Sequence, residues 1–243
     1  MGEGVVMTNY ATSNPNQGLI SGNAPAFHIF AGWLQYDETR LPRTDAKIVI
    51  KSGTYGRILL GGSSGNSDVS SITKYNSHNF MGTSLTDDLY KSEITIDIQN
   101  STTSSNYKYD VNLLAGGSTC ANIYGDVKLN IKNGNIGRLL GASIGDSSYR
   151  PNNWQYPINT FIGTATINMT GGNVTEMYGG FWGRNMRAIG GYNNNPIKCD
   201  SYFYGTVNVN ISGGTVSQTI YGAGAGGVSG YSVNSTDAYK RYG

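Results

Sequence analysis

Charge is what this chain has least of. Asp, Glu, Lys and Arg make up only 13% of its 243 residues, roughly half the usual share. The 17 basic and 15 acidic side chains leave a formal net charge of +2. The sequence therefore lacks the basic stripe of a nucleic-acid binder, a polybasic membrane anchor and an acidic tail. Histidine occurs only at His28 and His78, neither flanked by Cys or carboxylates at ligand spacing, which excludes a zinc site built on them. Cys120 and Cys199 permit one disulfide at most and form no metal-ligand cluster. No run approaches the roughly 18 apolar residues that a membrane-spanning helix needs. Met1 to Tyr10 has no basic stretch leading into an apolar one, so no secretory signal is read there.

Glycine is in excess, at 35 residues, about twice its usual share. Each Gly in a helix interior costs about 1 kcal/mol relative to Ala, which argues against a helical bundle. Hydrophobic residues still reach 38%, enough for a core.

The glycines mark a repeat. Four segments align on a central Gly: Lys47 to Gly53, Lys128 to Gly134, Thr166 to Gly172 and Asn208 to Gly214. A fifth, Thr95 to Asn100, matches their strand part and then departs. Each alternates apolar and polar residues, the period-2 pattern of a half-buried strand, and Ile50, Ile98, Ile131, Met169 and Ile211 fall in one aliphatic column. A second apolar run follows each central Gly and closes on a Gly-rich turn beginning at Gly61, Gly116, Gly141, Gly179 or Gly222. Glycine there suits a positive φ or a close backbone approach. The shortest turn-to-turn spacing, Gly116 to Gly141, gives a bare unit of 25 residues. Most of the excess in the others lies between the turn and the next strand, as insertions near residues 63–91, 142–164 and 180–205, all on one side of the repeat.

A unit this short cannot bury its apolar side alone and must stack on its neighbours at about 4.8 Å per rung. The expected fold is all-β: a right-handed parallel β-helix, or β-solenoid, of about five coils with long loop insertions on one face. The expected organisation is residues 1–45 as an N-terminal cap or extra rung, 46–227 as the repeats, and 228–243 as a polar tail continuing into a longer protein. Stacking also predicts outward columns. Val49, Asp97, Asn130, Asn168 and Asn210 form a polar ladder whose amides can bond from rung to rung. Arg57, Arg138, Glu176 and Gln218 form another, in which Arg138 and Glu176 are expected to pair as an exposed contact worth at most about 1 kcal/mol.

The Ile211-Ser-Gly-Gly-Thr-Val216 and Ile220-Tyr-Gly-Ala-Gly224 wording, with Met169-Thr-Gly-Gly-Asn-Val174 and Met177-Tyr-Gly-Gly180 as counterparts, resembles the Gly-rich repeats of large adhesin-like surface proteins of bacteria and archaea. The likeness covers about residues 46 to 227. It implies a pectin-lyase-like β-helix in an extracellular, cell-surface, bacterial setting. That fold hosts lyases, hydrolases, phage tailspikes and non-catalytic adhesins alike, so the resemblance does not select an activity.

Several motifs compete with a purely structural explanation. Gly61-Gly-Ser-Ser-Gly65 and Gly141-Ala-Ser-Ile-Gly145 match Gly-x-Ser-x-Gly, but neither has the helix or the His base a nucleophile elbow needs. Gly222 to Gly227 matches Gly-x-Gly-x-x-Gly, yet no helix pattern follows to present N–H groups to a pyrophosphate. Sequons at Asn100, Asn168, Asn173, Asn210 and Asn234 are expected by chance in so Asn- and Thr-rich a chain, and Asn168 and Asn210 belong to the strand ladder. A carbohydrate hydrolase would need two carboxylates about 5 to 9.5 Å apart. Candidates are Asp97, Asp110 and Asp126 on or beside strands, and Asp87, Asp88 and Asp146 in insertions.

The insertions carry the richer chemistry. Tyr149, Trp154, Tyr156, Trp182, Tyr192 and Tyr202, with Arg184 and Arg187, combine flat apolar faces with polar groups, as sugar stacking and hydroxyl recognition require. The competing explanation is that these rings fold the loops back onto the solenoid. The expected function is a non-catalytic segment of a secreted or cell-surface adhesin, a monomeric module binding a glycan or a host or cell-surface protein through its loop face. It needs no cofactor and no metal. A polysaccharide-degrading β-helix enzyme and a phage fibre or spike module are the alternatives.

Overall fold

A computed structural model describes residues 28–30, 45–60, 79–81, 90–101, 108–117, 122–145, 158–183 and 200–224. Among these there is no helix. Strands β1 (His28–Phe30), β2 (Ala46–Ile50), β3 (Tyr55–Leu59), β4 (Asn79–Met81), β5 (Tyr90–Asp97), β6 (Val111–Ala115), β7 (Asn122–Asn133), β8 (Asn135–Leu140), β10 (Ile158–Tyr178) and β12 (Asp200–Tyr221) form one curled sheet. The short strands β9 (Ile144–Gly145) and β11 (Trp182–Gly183) form a second. Every pairing is parallel.

The curl follows from the central glycines. Gly53, Gly134, Gly172 and Gly214 have φ of 104°, 110°, 76° and 88°, a region that L side chains rarely adopt. Each marks a corner where the chain leaves one face and enters the next. The first face stacks β2, β5, β7 and the leading parts of β10 and β12; the second stacks β1, β3, β6, β8 and their trailing parts. Parallel β9 and β11 begin a third side just beyond the turn glycines.

On the first face the alternation read from the sequence holds. Val127, Leu129 and Ile131 are buried on β7, as are Ala165, Ile167 and Met169 on β10, while Lys128 between them is exposed. The core column runs Ile50, Ile96, Ile131, Met169, Ile211. Ile96, not Ile98, occupies the second tier, a correction of two residues. Thr95 accordingly takes the ladder position expected for Asp97, which instead lies beside Asn133 across a bulge.

The second face departs from the half-buried expectation, because β3 and β6 are buried at every residue. Its inward side joins the main core through Ile58, Leu114, Leu139 and Met177. Its outward side forms a separate apolar cluster of Leu59, Leu113, Ala115, Leu140 and Tyr178, with Trp182 packed against it. Parallel strands covered on both sides read as continuous apolar runs, which is what Ile58-Leu-Leu60 and Val111-Asn-Leu-Leu-Ala115 are.

The turn glycines stack for a different reason. Gly116 N–H donates to the Leu140 carbonyl, Gly141 N–H to Tyr178 and Gly179 N–H to Tyr221, at 2.9, 2.8 and 2.8 Å. A Cβ at Gly116, Gly141 or Gly179 would collide with the carbonyl oxygen of Gly141, Gly179 or Gly222, respectively. Close backbone approach, not a positive φ, therefore requires glycine in this column.

Strands begin earlier than the insertion boundaries suggest. Ile158 to Thr164 and Asp200 to Gly205 are paired strand, with Thr160 beside Tyr202. Aromatics within the insertion ranges pack on the core: Phe161 is fully buried and stacks on the half-buried Phe203 at 5.1 Å, and Phe181, also buried, meets Phe203 edge-on at 6.2 Å.

Candidate functional site

The described chemistry concentrates in three places: the amide ladder on the first face, the glycine corner, and a charged and aromatic cluster outside the second face.

The ladder is built by in-register stacking. Asn210 Nδ2 donates to Asn168 Oδ1 at 3.0 Å, and Asn168 Nδ2 donates to Asn130 Oδ1 at 2.9 Å. Asn130 Nδ2 then donates to Glu93 Oε1 at 2.7 Å and lies 3.4 Å from Thr95 Oγ1. Each amide points its donor to the preceding tier and its oxygen to the following one. The amides of the sequons at Asn168 and Asn210 are thus committed to the ladder.

At the corner, the second tier has no central glycine. Asp110, fully buried, stands one place further on, level with Thr54 and Asn135, and closes this corner: one carboxylate oxygen accepts the Ser101 hydroxyl and the other the Asn135 N–H, both at 2.8 Å. Asn173 Nδ2 donates to Asn135 Oδ1 and Asn135 Nδ2 to Ser101 Oγ, at 2.9 and 3.1 Å. These groups border a shallow groove of about 500 Å3 that follows the corner past Gly134, Gly172 and Gly214. Sequence reasoning missed this groove. Its only signal was the recurrence of Asn on either side of the central Gly. The groove offers amides and hydroxyls, but those of Ser101, Asn135 and Asn173 already bond to one another.

The third cluster contains Trp182. The Arg138 guanidinium carbon lies 3.7 Å from the centroid of the Trp182 ring. Arg138 Nε donates to Glu176 Oε2 at 2.7 Å, and Tyr178 Oη donates to the same oxygen at 3.1 Å. The expected Arg138–Glu176 pair is therefore present, but at 10% and 21% side-chain exposure it is not the surface contact anticipated. Burial, and secondarily the Glu176 carboxylate, push the Tyr178 phenol up to about 12. Tyr221 stacks on Tyr178 at 5.0 Å. Thr219, not Gln218, lies beside Glu176, because β12 carries one extra residue after Val216.

Of the sequence-selected binding residues, Trp182 has a described side chain, and its contact with Arg138 gives it a structural task whether or not it also meets a ligand. Tyr202 lies on β12 rather than in a loop. Tyr149, Trp154, Tyr156, Arg184, Arg187 and Tyr192 lie outside the described residues, as do Cys120 and Cys199 and residues 228–243.

The carboxylates can be followed one by one. Asp45 accepts the Lys91 N–H at 2.9 Å, and Asp126 the Thr164 N–H at 2.8 Å. Asp97 accepts the Asn133 amide at 2.6 Å. With Glu93, Asp110 and Glu176, every acid whose side chain is described holds a neighbouring tier in place. Among the described residues no group of three or more His, Cys, Asp or Glu could hold a metal ion, and no helix is long and apolar enough to cross a membrane. Comparison with known proteins gave no match to a family model, a curated protein or a solved structure.

Proposed function

We propose that this chain is a non-catalytic segment of a secreted or cell-surface adhesin, a right-handed β-solenoid of about five coils whose loop face binds a glycan or a partner protein. The observation that carries the reading is the employment of the acids. Asp45, Glu93, Asp97, Asp110, Asp126 and Glu176 all accept hydrogen bonds from an adjacent tier. A glycosidase needs a pair facing an open cleft with room for substrate or water between them. Acids used as rung-to-rung fasteners build a rigid scaffold instead, and such a scaffold suits loops that recognise ligands. The aromatic and Arg-bearing insertions, with Tyr149, Trp154, Tyr156, Arg184, Arg187 and Tyr192, are the proposed contact surface, and it requires no cofactor.

A glycan-array screen of the purified chain tests this directly, repeated with a Trp154→Ala/Tyr156→Ala variant whose circular dichroism matches the parent. Binding that the variant loses, with the glycan intact, supports the adhesin reading. Shortened glycan products would replace it with a polysaccharide-degrading enzyme, and an absence of glycan binding would refute the carbohydrate half of the proposal.

A further inference from the structure

The outward side of the first face carries its charges in a pattern. Its first three tiers each present one acid and one base: Asp45 and Lys47 at β2, Lys91 and Glu93 on β5, Asp126 and Lys128 on β7. In register, Asp45, Lys91 and Asp126 form one column, and Lys47, Glu93 and Lys128 form the next. The sign therefore alternates along every strand and again from tier to tier. Asp45, Lys47, Lys91 and Lys128 are exposed, while Glu93 and Asp126 are half-buried between their neighbours. The three acids accept the Lys91 N–H, the Asn130 amide and the Thr164 N–H. Among the described residues no ion pair engages the three lysine ammonium groups. The two following tiers continue both columns without charge, as Thr164 and Thr166 on β10 and Thr206 and Asn208 on β12.

We propose that this face is an interface between two copies of the chain, laid side by side with their stacks parallel. A twofold axis running along the stack between the two columns lays each column on the partner's other column, tier on tier. Asp45 then faces the partner's Lys47, Lys91 the partner's Glu93, and Asp126 the partner's Lys128, each twice by symmetry, and the uncharged tiers meet each other. An axis along the strands would lay Asp45 on the partner's Asp126 and Lys47 on the partner's Lys128, with Lys91 and Glu93 each on its own copy. Like charges would then meet throughout, so charge selects the parallel arrangement. No other stretch of this sequence matches the pattern. Outside the described residues the densest mixed charges, Asp37 and Glu38 with Arg40 and Arg43, number two of each sign, and residues 225–243 hold only Asp237, Lys240 and Arg241. A contact five tiers high and about 17 Å wide covers roughly 400 Å2 per copy, below the size of a permanent interface, so the dimer is weak, reversible and salt-sensitive. The inference departs from the monomeric module expected from the sequence and is independent of what the loop face binds.

The test is sedimentation velocity of the full chain, from micromolar to millimolar concentration, at about 20 mM and about 500 mM salt. The expected result is a reversible dimer at low salt that high salt dissociates. Lys91→Glu should weaken it at least about tenfold, because each copy then sets an acid against its partner's Glu93, and Glu93→Lys should weaken it as much by setting base against base. Mixing the two variants should restore a dimer of the parent's strength, since one copy then presents two acids where the other presents two bases. Lys47→Glu mixed with Asp45→Lys repeats the exchange at an exposed tier, in case Glu93→Lys disturbs the Asn130 contact; circular dichroism of each variant separates a lost interface from a lost fold. A chain that stays monomeric throughout the range at low salt would overturn the proposal. So would a dimer indifferent to Lys91→Glu and Lys47→Glu, or folded variants that fail to pair when mixed.

Discussion

Replacing Gly141 by alanine should be among the most damaging small changes available in this chain. The added methyl would coincide with the Gly179 carbonyl and come within 3.3 Å of the Ala165 Cβ. The two tiers are held there by the Gly141 N–H bond to Tyr178 and the Ala142 N–H bond to the Gly180 carbonyl, at 2.8 and 3.1 Å. Relieving the collision means separating the tiers at this turn. That sacrifices at least one buried backbone bond, about 1 kcal/mol net, in addition to an overpacking cost of about 1–3 kcal/mol. A loss of about 2–4 kcal/mol is expected, measurable as a lower urea midpoint by circular dichroism. Gly222→Ala is the internal control: the same chemical change, at the same place in the repeat, should stay within about 0.5 kcal/mol of the parent because no atom of the described residues occupies the methyl's space. Equal effects of the two substitutions would refute the stacking explanation of the glycine column.

Other consequences follow from the clusters. Arg138→Met should cost about 2 kcal/mol, because it removes both the Glu176 partner and the cation over Trp182; a double-mutant cycle with Glu176→Gln should show coupling above the few tenths typical of exposed pairs. Asn168→Ala breaks two ladder bonds at once and should cost about 1–2 kcal/mol by urea denaturation, with Asn210→Ala costing less because it breaks one. Stability should fall in alkali. An unfolded tyrosine titrates near its ordinary value, about 10, while burial raises both Tyr55 and Tyr178, the latter to about 12. The folded chain thus keeps protons that the unfolded chain loses, so stability is intact below about pH 10 and declines from there towards 12; Tyr178→Phe should flatten the decline.

The register of the later tiers was readable because glycine left two independent marks in each. Central glycines at 134, 172 and 214 and turn glycines at 141, 179 and 222 fix both ends of the second strand. Their disagreement by one residue in the last interval, 42 against 43, already encodes the extra residue that puts Thr219 beside Glu176. The second tier has no central glycine, and Ile94, Ile96 and Ile98 alternate identically. A one-residue slip would turn the strand inside out, but a two-residue slip preserves the pattern, so periodicity alone did not separate Ile96 from Ile98. Burial outside the second face was hidden for a related reason: positions such as Leu113 and Leu140 interrupt the alternation without saying what covers them. Trp182 illustrates the limit for function. An aromatic in a loop-like segment has the composition of a sugar platform, and only the arrangement around it reveals the Arg138 guanidinium against its ring.

The central claim, an in-register parallel stack, is most directly tested by cross-linking adjacent tiers. In a chain carrying Cys120→Ser and Cys199→Ser, paired Asn168→Cys and Asn210→Cys substitutions would put two thiols on neighbouring strands about 4.8 Å apart, within the reach of a disulfide. Partners Asn168→Cys and Asn208→Cys share a face but lie diagonally, about 8 Å apart by strand geometry. Under mild oxidation the first pair should close readily, read by mass spectrometry of tryptic fragments, while the second stays reduced. Closure of the diagonal pair in preference to the direct one would contradict the register on which the account rests.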